Sequence, residues 1–342
     1  MALKVYTKCS NYASETCPCI LAESGHCLVC SICRGEEYCS CSDTVSYCIY
    51  QELVNNGGKA RDQHHIVRCE VVYEKIYNEI YKHMRLRVSP HNLDEFGMPG
   101  SFVFVRVKEN TYYDVPVSVF LTDIEKETID LIIKIIGVKT KEFQKTKTGD
   151  TVFLRGPYHN GILGIKALTK LHGSRAAVIC KGIGFMPSLG AINLLHMNHN
   201  EVTVYLDHGM FSKDLIDTFV RQFNVTVREI LICDEAGNLT EEVKAVLENA
   251  TGEGIDLIHF GLSDHLLKQA VGFVEDQKNS LLISCINNAH MCCGEGICGA
   301  CAVDRDVRTI VHLCKEQVDP YEYIYMICNY SAPPGIAHDP VR

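Results

Sequence analysis

Short apolar runs separated by turn residues fill the middle of the chain, from about residue 66 to residue 163. Runs of this length, rich in β-branched and aromatic residues and bounded by turn signals, are typical of β-strands. The predicted strands cover residues 101–107, 115–121, 129–136 and 151–155. Because several short strands follow one another with regular breaks, the pattern predicts a small β-barrel or sandwich.

After residue 170 the pattern changes to alternating strands and helices. Continuous apolar runs predict buried strands at 176–180, 202–206, 228–233 and 256–260. Apolar residues at helical spacing predict a helix over 187–197. Asn238, three residues before Glu241, predicts another helix start, and Ser263 predicts the cap of a third helix. This alternation is typical of an α/β nucleotide-binding domain.

Cysteine is the most unusual feature of the composition, with 19 in 342 residues. No run of 18 apolar residues is present and the first residues lack the apolar core of a signal peptide, so we expect a soluble, cytoplasmic protein without a membrane span. In a reducing compartment cysteines more often bind metals or catalyse than form disulfides. The scattered Cys69, Cys180, Cys233 and Cys328 are expected to be small buried apolar residues.

The charge of the chain limits the kinds of partner. The formal net charge is −9 at pH 7 and the pI is near 5.9. An acidic protein is poorly suited to nucleic acid or to an anionic membrane surface, so neither is expected as the main partner.

The strongest motif lies near the C-terminus, where Cys293, Cys298 and Cys301 are followed by Cys314. The spacing C-x4-C-x2-C with a distant fourth cysteine matches the plant-type [2Fe–2S] arrangement. A zinc knuckle is the weaker alternative, because zinc sites favour paired C-x2-C units and only Cys298 and Cys301 form one.

Nine cysteines fall within the first 48 residues, where few aliphatic residues could build a core. We therefore expect this segment to fold around a metal. Cys27, Cys30 and Cys33 have the triplet spacing of a [4Fe–4S] site, with Cys39, or else Cys41 or Cys48, as the fourth ligand. One alternative is structural zinc, in one or two tetrahedral sites drawn from Cys17, Cys19, Cys27, Cys30, Cys39 and Cys41, and another is thiols without metal.

A glycine-containing segment, residues 181–187, lies between a predicted strand and a predicted helix. At such a position successive backbone N–H groups and the helix N-terminus favour a pyrophosphate. A tight turn without any ligand explains Gly182 and Gly184 equally well.

The order of these segments resembles the dihydroorotate dehydrogenase electron-transfer subunits, within the ferredoxin-NADP reductase superfamily, over roughly residues 66–320. The PGSF sequence at 99–102 resembles the family's PGQF, and VPVSV at 115–119 is similar to its RPxSI flavin motif. GVKT at 137–140 stands where the family has GxGT, and GPYHNG at 156–161 is close to its GPLGNG. Residues 181–187 parallel GGGIGxxP, and residues 291–301 parallel MACGIGACxxC.

The resemblance implies three parts: an FAD-binding β-barrel at 63–168, an α/β NAD(P)H-binding domain at 169–278, and a [2Fe–2S] module with the C-terminal tail at 279–342. The small Cys-rich metal-binding module expected at 1–62 lies outside the resemblance. It implies flavin contacts from Pro116, Val117, Ser118, Gly137, Thr140, Gly156 and Pro157, and dinucleotide contacts from Gly182 and Gly184. Hydride carries two electrons and an iron–sulfur cluster accepts one, and a flavin converts between them. The implied role is an electron-transfer subunit that serves a partner oxidoreductase in a hetero-oligomer.

Departures from the family pattern keep other functions open. Val115 stands where the family has its flavin-phosphate arginine, and Arg106 or Arg155 is expected to replace that cation. Lys181 replaces the first glycine of the nucleotide loop. Phe260 stands where the family usually has a cysteine beside the nicotinamide. The alternatives are an iron–sulfur relay or assembly subunit that uses no flavin or nicotinamide, and a zinc-binding regulatory protein. His64 and His65 are either further metal ligands or exposed linker residues.

Overall fold

The computed structural model describes residues 8–41, 46–211, 213–220, 223, 225–276 and 281–329. The cysteine-rich segment comes first and contains two short helices, α1 (Ile20–Glu23) and α2 (Ile49–Asn55). The 3-10 turn Ile32–Arg34 lies between them. With so little regular structure, this segment depends on side-chain contacts rather than on backbone ladders for its shape.

A closed barrel of six antiparallel strands follows. Its strands are β1 (Val67–Tyr77), β2 (Tyr81–Arg87), β3 (Phe102–Arg106), β4 (Val115–Asp123), β5 (Thr128–Lys134) and β6 (Thr151–Tyr158), in the order β1-β2-β5-β4-β3-β6. Two short helices, α3 (Leu93–Phe96) and α4 (Val138–Lys141), lie in the connections. The four strands predicted from the sequence are confirmed as β3 to β6. The hairpin β1–β2 was not among the four, because charged and aromatic residues interrupt its apolar pattern.

The second unit is a six-stranded sheet in the order β10-β9-β8-β11-β12-β7. The strands are β7 (Ile162–Leu163), β8 (Arg175–Lys181), β9 (Glu201–Asp207), β10 (Thr226–Glu229), β11 (Ile255–Gly261) and β12 (Leu282–Ile286). All neighbours are parallel except β7, which runs antiparallel to β12. The helices around the sheet are α5 (Ile165–Lys170), α6 (Phe185–Met197), α7 (Lys213–Val220), α8 (Glu241–Asn249) and α9 (Asp264–Asp276). Because separate apolar clusters cover both faces, the central strands read as continuous apolar runs.

Two predictions at the edge of this sheet are wrong in detail. The strand predicted at 228–233 is β10, which ends at Glu229, because the Asp207 carboxylate takes the Ile232 N–H at 3.1 Å and ends the pairing with β9. The cap of α8 is Thr240, whose Oγ1 accepts the Val243 N–H at 3.4 Å. Asn238 instead closes the preceding turn.

The chain ends, within the described residues, with a two-stranded ribbon and a helix: β13 (Ala302–Asp306), β14 (Thr309–His312) and α10 (Pro320–Asn329). Cys69 and Cys180 are buried as predicted, and Cys233 is half-buried. The prediction of a buried Cys328 is wrong, because α10 packs through Tyr323 and Met326 and leaves Cys328 exposed. No helix among the described residues is long and apolar enough to cross a membrane.

A close backbone approach at Gly261 gives the first testable prediction. A Cβ at this position would lie 2.5 Å from Ser188 Oγ and 2.6 Å from the Gly184 carbonyl oxygen, whereas nothing lies within 4 Å of a Cβ at Gly272 in α9. Gly261→Ala is therefore expected to destabilise the protein by about 1–3 kcal/mol through overpacking. Gly272→Ala, the matched control, is expected to stabilise it by about 0.5–1 kcal/mol. Urea unfolding midpoints check this, and a pair that shifts in the same direction would contradict it.

Candidate functional site

A cavity of about 320 Å³ lies between the barrel and the six-stranded sheet. Its barrel wall comes from β4, β5 and Thr140, and its sheet wall from the turn after β8 and the segment after β12. Among the residues predicted to bind cofactors, the cavity brings together Pro116, Val117, Ser118, Thr140 and Gly184. The remaining predicted contacts, Gly137, Gly156, Pro157 and Gly182, lie outside its wall.

The alternation of β4 explains the barrel wall. Val115, Val117 and Val119 belong to the apolar core of the barrel, so Pro116 and Ser118 are directed to the opposite face. Val115 also lines the cavity, and it occupies the position of the family's arginine. This part of the wall therefore offers apolar surface and one hydroxyl rather than a cation.

A polar loop follows β5 and is fixed by Thr140. Its Oγ1 accepts hydrogen bonds from the N–H groups of Ile136 and Gly137, each at 3.0 Å. Gly137 is the N-cap of α4, so this glycine shapes the loop that carries Thr140 to the cavity wall.

Lys134, the last residue of β5, carries the only positive charge among the residues that line the cavity. Its side chain is exposed, and within the described part of the chain its ammonium forms no hydrogen bond or ion pair. An ammonium without a partner beside a cavity can bind an anionic group such as a phosphate.

The two arginines expected to replace the missing cation do not do so. Arg106 Nε donates to Asp114 at 2.5 Å, and its Nη1 donates to the carbonyl of Thr111 at 2.8 Å. Arg155 donates to Asp114 at 3.3 Å and to the carbonyl of Cys293 at 2.8 Å, and its guanidinium lies over the Phe104 ring. Both guanidinium groups are therefore engaged within the protein, and this expectation is wrong.

The turn after β8 forms the sheet side of the site. Gly182 has φ of 54° and begins a 3-10 turn, Gly182–Gly184, that leads directly into α6. A side chain at Gly184 would collide with the carbonyl oxygen of Gly261 at the end of β11. Only glycine lets these two backbones approach so closely. In this position the turn lines the cavity through Ile183 and Gly184.

Lys181 forms an ion pair with Asp207. Burial would raise the pKa of the Asp207 carboxyl, but this ion pair and the N–H groups of Ile232 and Gly209 hold that pKa below its ordinary value. The pair joins the ends of β8 and β9, so Lys181 has a structural partner in the loop.

The four C-terminal cysteines lie close together. Cys293, Cys298 and Cys301 belong to the loop of residues 292–301, the cysteine loop, and Cys314 follows β14. Cys293 contacts both Cys298 and Cys314, and Cys314 also contacts Cys301. The thiol of Cys314 and the backbone N–H groups of Glu295, Ile297 and Cys298 lower the pKa of the Cys293 thiol to about 4, against the effect of burial. The four thiols are therefore linked through pair contacts, and among the residues that the structure describes no three of them are grouped so as to hold a metal ion.

Hydrogen bonds fix this loop against the barrel and the cavity. A side chain at Gly294 would collide with the Tyr158 ring, so the loop lies directly on β6. Asn287, which lines the cavity, donates through Nδ2 to the carbonyl of Leu313 at 2.7 Å. Leu313 immediately precedes Cys314, so the cavity and the cysteine loop share a wall.

The N-terminal cysteines divide by burial. Cys27, Cys30 and Cys33 of the predicted triplet are buried, whereas Cys39 is exposed and its thiol contacts Cys41. In the ranges that the structure describes, no three or more His, Cys, Asp or Glu side chains are grouped so as to hold a metal ion. The N-terminal and the C-terminal thiols instead contact one another in pairs.

Several important residues were not found from the sequence. Lys134 and Asn287 belong to no recognisable sequence motif. They line one cavity because the barrel packs against the sheet. The His64 side chain is largely buried, and its Nδ1 lies 3.0 Å from the Glu295 carboxylate. His64 is therefore not an exposed linker residue, and its partner is a carboxylate rather than a thiol. No spacing signal along the sequence connects residues so distant.

The comparisons with known proteins agree with this architecture. No protein-family model matches the chain. A probable dihydroorotate dehydrogenase B (NAD(+)) electron transfer subunit of Methanocaldococcus jannaschii is 29% identical over 175 residues, covering 49% of this chain and 62% of that protein. The corresponding subunit of Clostridium acetobutylicum is 27% identical, covering 68% of this chain and 86% of that protein. Sulfhydrogenase 2 subunit gamma of Pyrococcus furiosus is 26% identical, covering 64% and 81%.

Solved structures identify the fold. A chain of an NADH-dependent reduced ferredoxin-NADP oxidoreductase superposes with a TM-score of 0.59 at 20% identity, covering 77% of this chain and 94% of that chain. The ferredoxin reductase of carbazole 1,9a-dioxygenase gives a TM-score of 0.52 at 15% identity, covering 65% and 69%. The chain therefore has the fold of the ferredoxin-NADP reductases and is related in sequence to the dihydroorotate dehydrogenase electron-transfer subunits.

Proposed function

We propose that this chain is the electron-transfer subunit of a larger oxidoreductase. In this proposal NADH or NADPH binds at the turn after β8, FAD occupies the cavity, and a [2Fe–2S] cluster is held by Cys293, Cys298, Cys301 and Cys314. Electrons then pass to a partner oxidoreductase subunit in a hetero-oligomer. The subunit names of the relatives support this role, and the free thiols fit a reducing cytoplasm.

The observation that carries the proposal is the wall shared by the cavity and the cysteine loop. Asn287 lines the cavity and binds the carbonyl of the residue before Cys314. Asn160 donates to the same carbonyl and to that of Glu316, each at 2.7 Å. Two buried or half-buried amides thus fix the distance between the two sites, which suits electron transfer through a rigid wall.

The cavity residues fit a flavin nucleotide. Pro116 and Ile132 supply apolar surface for a ring system, and Ser118 and Thr140 supply hydroxyl groups. Lys134 is the cation available to a phosphate in place of the family's arginine. Bound FAD supplies the conversion between a two-electron hydride and single electrons. The protein's own contribution is to position the groups and to exclude water.

The exposed edge of the cysteine loop fits the transfer to a partner. Ile297 is 60% exposed, and the neighbouring Cys292 and Cys298 are also exposed. An apolar side chain beside a cluster ligand offers a contact through which a partner subunit can bring its own redox centre close.

The proposal is tested by anaerobic titration of the holoprotein with NADH and, separately, NADPH. We expect bleaching of the flavin absorbance, followed by the EPR signal of a reduced [2Fe–2S] cluster, because hydride reaches the flavin first and single electrons follow. Holoprotein that carries the cluster but no flavin, and does not bleach, would support instead the relay subunit without flavin or nicotinamide chemistry.

Cys298→Ser tests the ligand assignment. The variant is expected to lose the [2Fe–2S] EPR signal while it retains flavin, since Cys298 contacts Cys293 within the loop and lies outside the cavity wall. Cys292→Ser, which changes an adjacent exposed cysteine, is the matched control and should keep the signal. An unchanged signal in Cys298→Ser would remove this residue from the ligand set.

Lys134→Gln tests the replacement cation. We expect the dissociation constant for FAD to rise about tenfold, the lower end of the range for a hydrogen bond to a charged group, because the ammonium is exposed. Fluorescence titration of the deflavinated protein measures it. Lys141→Gln, an exposed lysine on α4 outside the cavity wall, should bind FAD as the wild type does. Equal affinities for both variants would exclude Lys134 from the site.

A further inference from the structure

A row of buried polar side chains lies beneath the turn after β8, and the proposed function gives it no part. Its members are Ser188 in α6, His259 in β11 and Ser284 in β12, and all three are completely buried. Burying a polar side chain costs free energy unless its hydrogen bonds are made inside the protein. Apolar side chains would avoid that cost, so the hydrogen bonds of this row indicate its role.

The three side chains form a continuous chain of hydrogen bonds that ends on the turn. His259 and Ser284 are partners on neighbouring parallel strands, so their side chains share one face of the sheet. The imidazole Nδ1 lies 2.9 Å from Ser284 Oγ, and Nε2 lies 3.1 Å from Ser188 Oγ. Ser188, in the first turn of α6, donates through Oγ to the carbonyl oxygen of Gly184 at 2.8 Å.

The last bond of this chain fixes the direction of the others. A carbonyl oxygen only accepts, so the single proton of the Ser188 hydroxyl is directed at Gly184. Ser188 Oγ then accepts from His259, whose Nε2 must carry the ring proton. Burial lowers the pKa of His259 to about 3, so the ring is neutral and its Nδ1 accepts the hydroxyl proton of Ser284. A fully satisfied network of this kind holds the ring in one tautomer and one orientation.

Cys180 and Gly261 enclose the Ser188 hydroxyl from the remaining sides. Cys180 contacts Ser188, and burial raises the pKa of the Cys180 thiol to about 12, so the thiol keeps its proton. A Cβ at Gly261 would lie 2.5 Å from Ser188 Oγ and 2.7 Å from Cys180 Sγ. The hydroxyl is therefore surrounded by protein atoms, and His259 is a donor built into that enclosure.

The turn needs such a hold because its two glycines have no side chains. Gly182 has φ of 54°, in a region that glycine enters freely, and Gly182 and Gly184 can be held only through backbone atoms. The Gly184 carbonyl is the atom that Ser188 binds. In the proposed function the N–H groups of this turn and of the α6 N-terminus meet a pyrophosphate. Donors that are already in place bind more tightly, because less freedom is lost on binding.

We propose that His259 is a positioning residue for the nicotinamide nucleotide: through Ser188 it fixes the carbonyl of Gly184 and so holds the turn Gly182–Gly184 in the shape that binds the pyrophosphate. This inference rests on the proposed binding of NADH or NADPH at that turn. His259 is completely buried, so it acts without touching the nucleotide and transfers no proton to it.

Two substitutions of His259 separate its two hydrogen bonds. The side-chain amide of His259→Asn reaches the position of Nδ1 but not that of Nε2, so the bond to Ser188 is lost. The amide of His259→Gln reaches the position of Nε2 and can donate to Ser188. We expect the dissociation constant of the nucleotide to rise about three- to tenfold in His259→Asn, the effect of one hydrogen bond, and to stay within about twofold of the wild type in His259→Gln.

The measurement is titration calorimetry of the oxidised, flavin-loaded full chain with NAD⁺ and with NADP⁺, neither of which reduces the flavin. Stopped-flow reduction of the flavin by the reduced nucleotide is the second readout. His259→Asn should raise the nucleotide concentration that gives half the limiting rate and leave the limiting rate itself unchanged, because the turn binds and does not react.

Asn200→Ala is the matched control for a purely structural effect. Asn200 is buried and its Nδ2 donates to the carbonyls of Leu171 and Leu195, the second of these near the C-terminal end of α6. This variant leaves buried carbonyls unpaired in the same domain, far along the helix from Gly184. Its urea unfolding midpoint should fall as that of His259→Asn does, while its affinity for the nucleotide stays that of the wild type.

Each other result overturns the inference in its own way. Equal affinities for His259→Asn and the wild type would remove the positioning role, and an equal loss of affinity in Asn200→Ala would reduce it to general stability. If neither nucleotide binds the wild type, the proposed function fails and the inference falls with it.

Two further results decide the case even if His259→Asn does not fold. Ser188→Ala removes only the hydroxyl that binds Gly184 and should weaken nucleotide binding to the same extent as His259→Asn. NMR of the wild type with isotope-labelled histidine should show His259 protonated at Nε2 alone. A proton on Nδ1, or unchanged affinity in Ser188→Ala, would contradict the inference.

Discussion

A single buried carboxylate, Glu295, joins three distant parts of the chain. It lies within the cysteine loop and interacts with Lys315 at 3.0 Å, with His64 at 3.0 Å and with the Tyr158 hydroxyl at 3.1 Å. These partners come from the C-terminal module, the segment before the barrel and the barrel itself. A buried charge is costly unless its partners are all in place, so the loop has one position that satisfies it. The location of the proposed cluster relative to the cavity follows from that position.

In the proposed function the side chains position the cofactors and do not act as acids or bases. The barrel and the sheet meet at a cavity whose walls are apolar apart from a few hydroxyls, amides and the Lys134 ammonium. The amides of Asn160 and Asn287 connect the cavity wall to the cysteine loop. Side chains that hold fixed distances are what electron transfer requires, because the cofactors themselves supply the reactivity.

The sequence predicted the elements whose signals are local. The strands β8, β9 and β11 and the turn at Gly184 depend on neighbours along the chain, and the structure forms them. The four C-terminal cysteines are linked there through pair contacts of their thiols. What the sequence could not predict depends on pairing across the fold. Arg155 forms hydrogen bonds with Asp114 and with the cysteine loop. Thr240 rather than Asn238 caps α8, because Asn238 closes the turn before it.

The bridge between residues 8–10 and residues 315–317 also bears on how the protein is made. A ribosome releases the N-terminal segment first, and domains generally fold as they emerge. The backbone pairing of residues 8–10 with residues 315–317 nevertheless cannot form until Gln317 has been synthesised, about three hundred residues after Ser10. Assembly of the two ends is therefore a late event, and it can begin only when almost the whole chain has been translated.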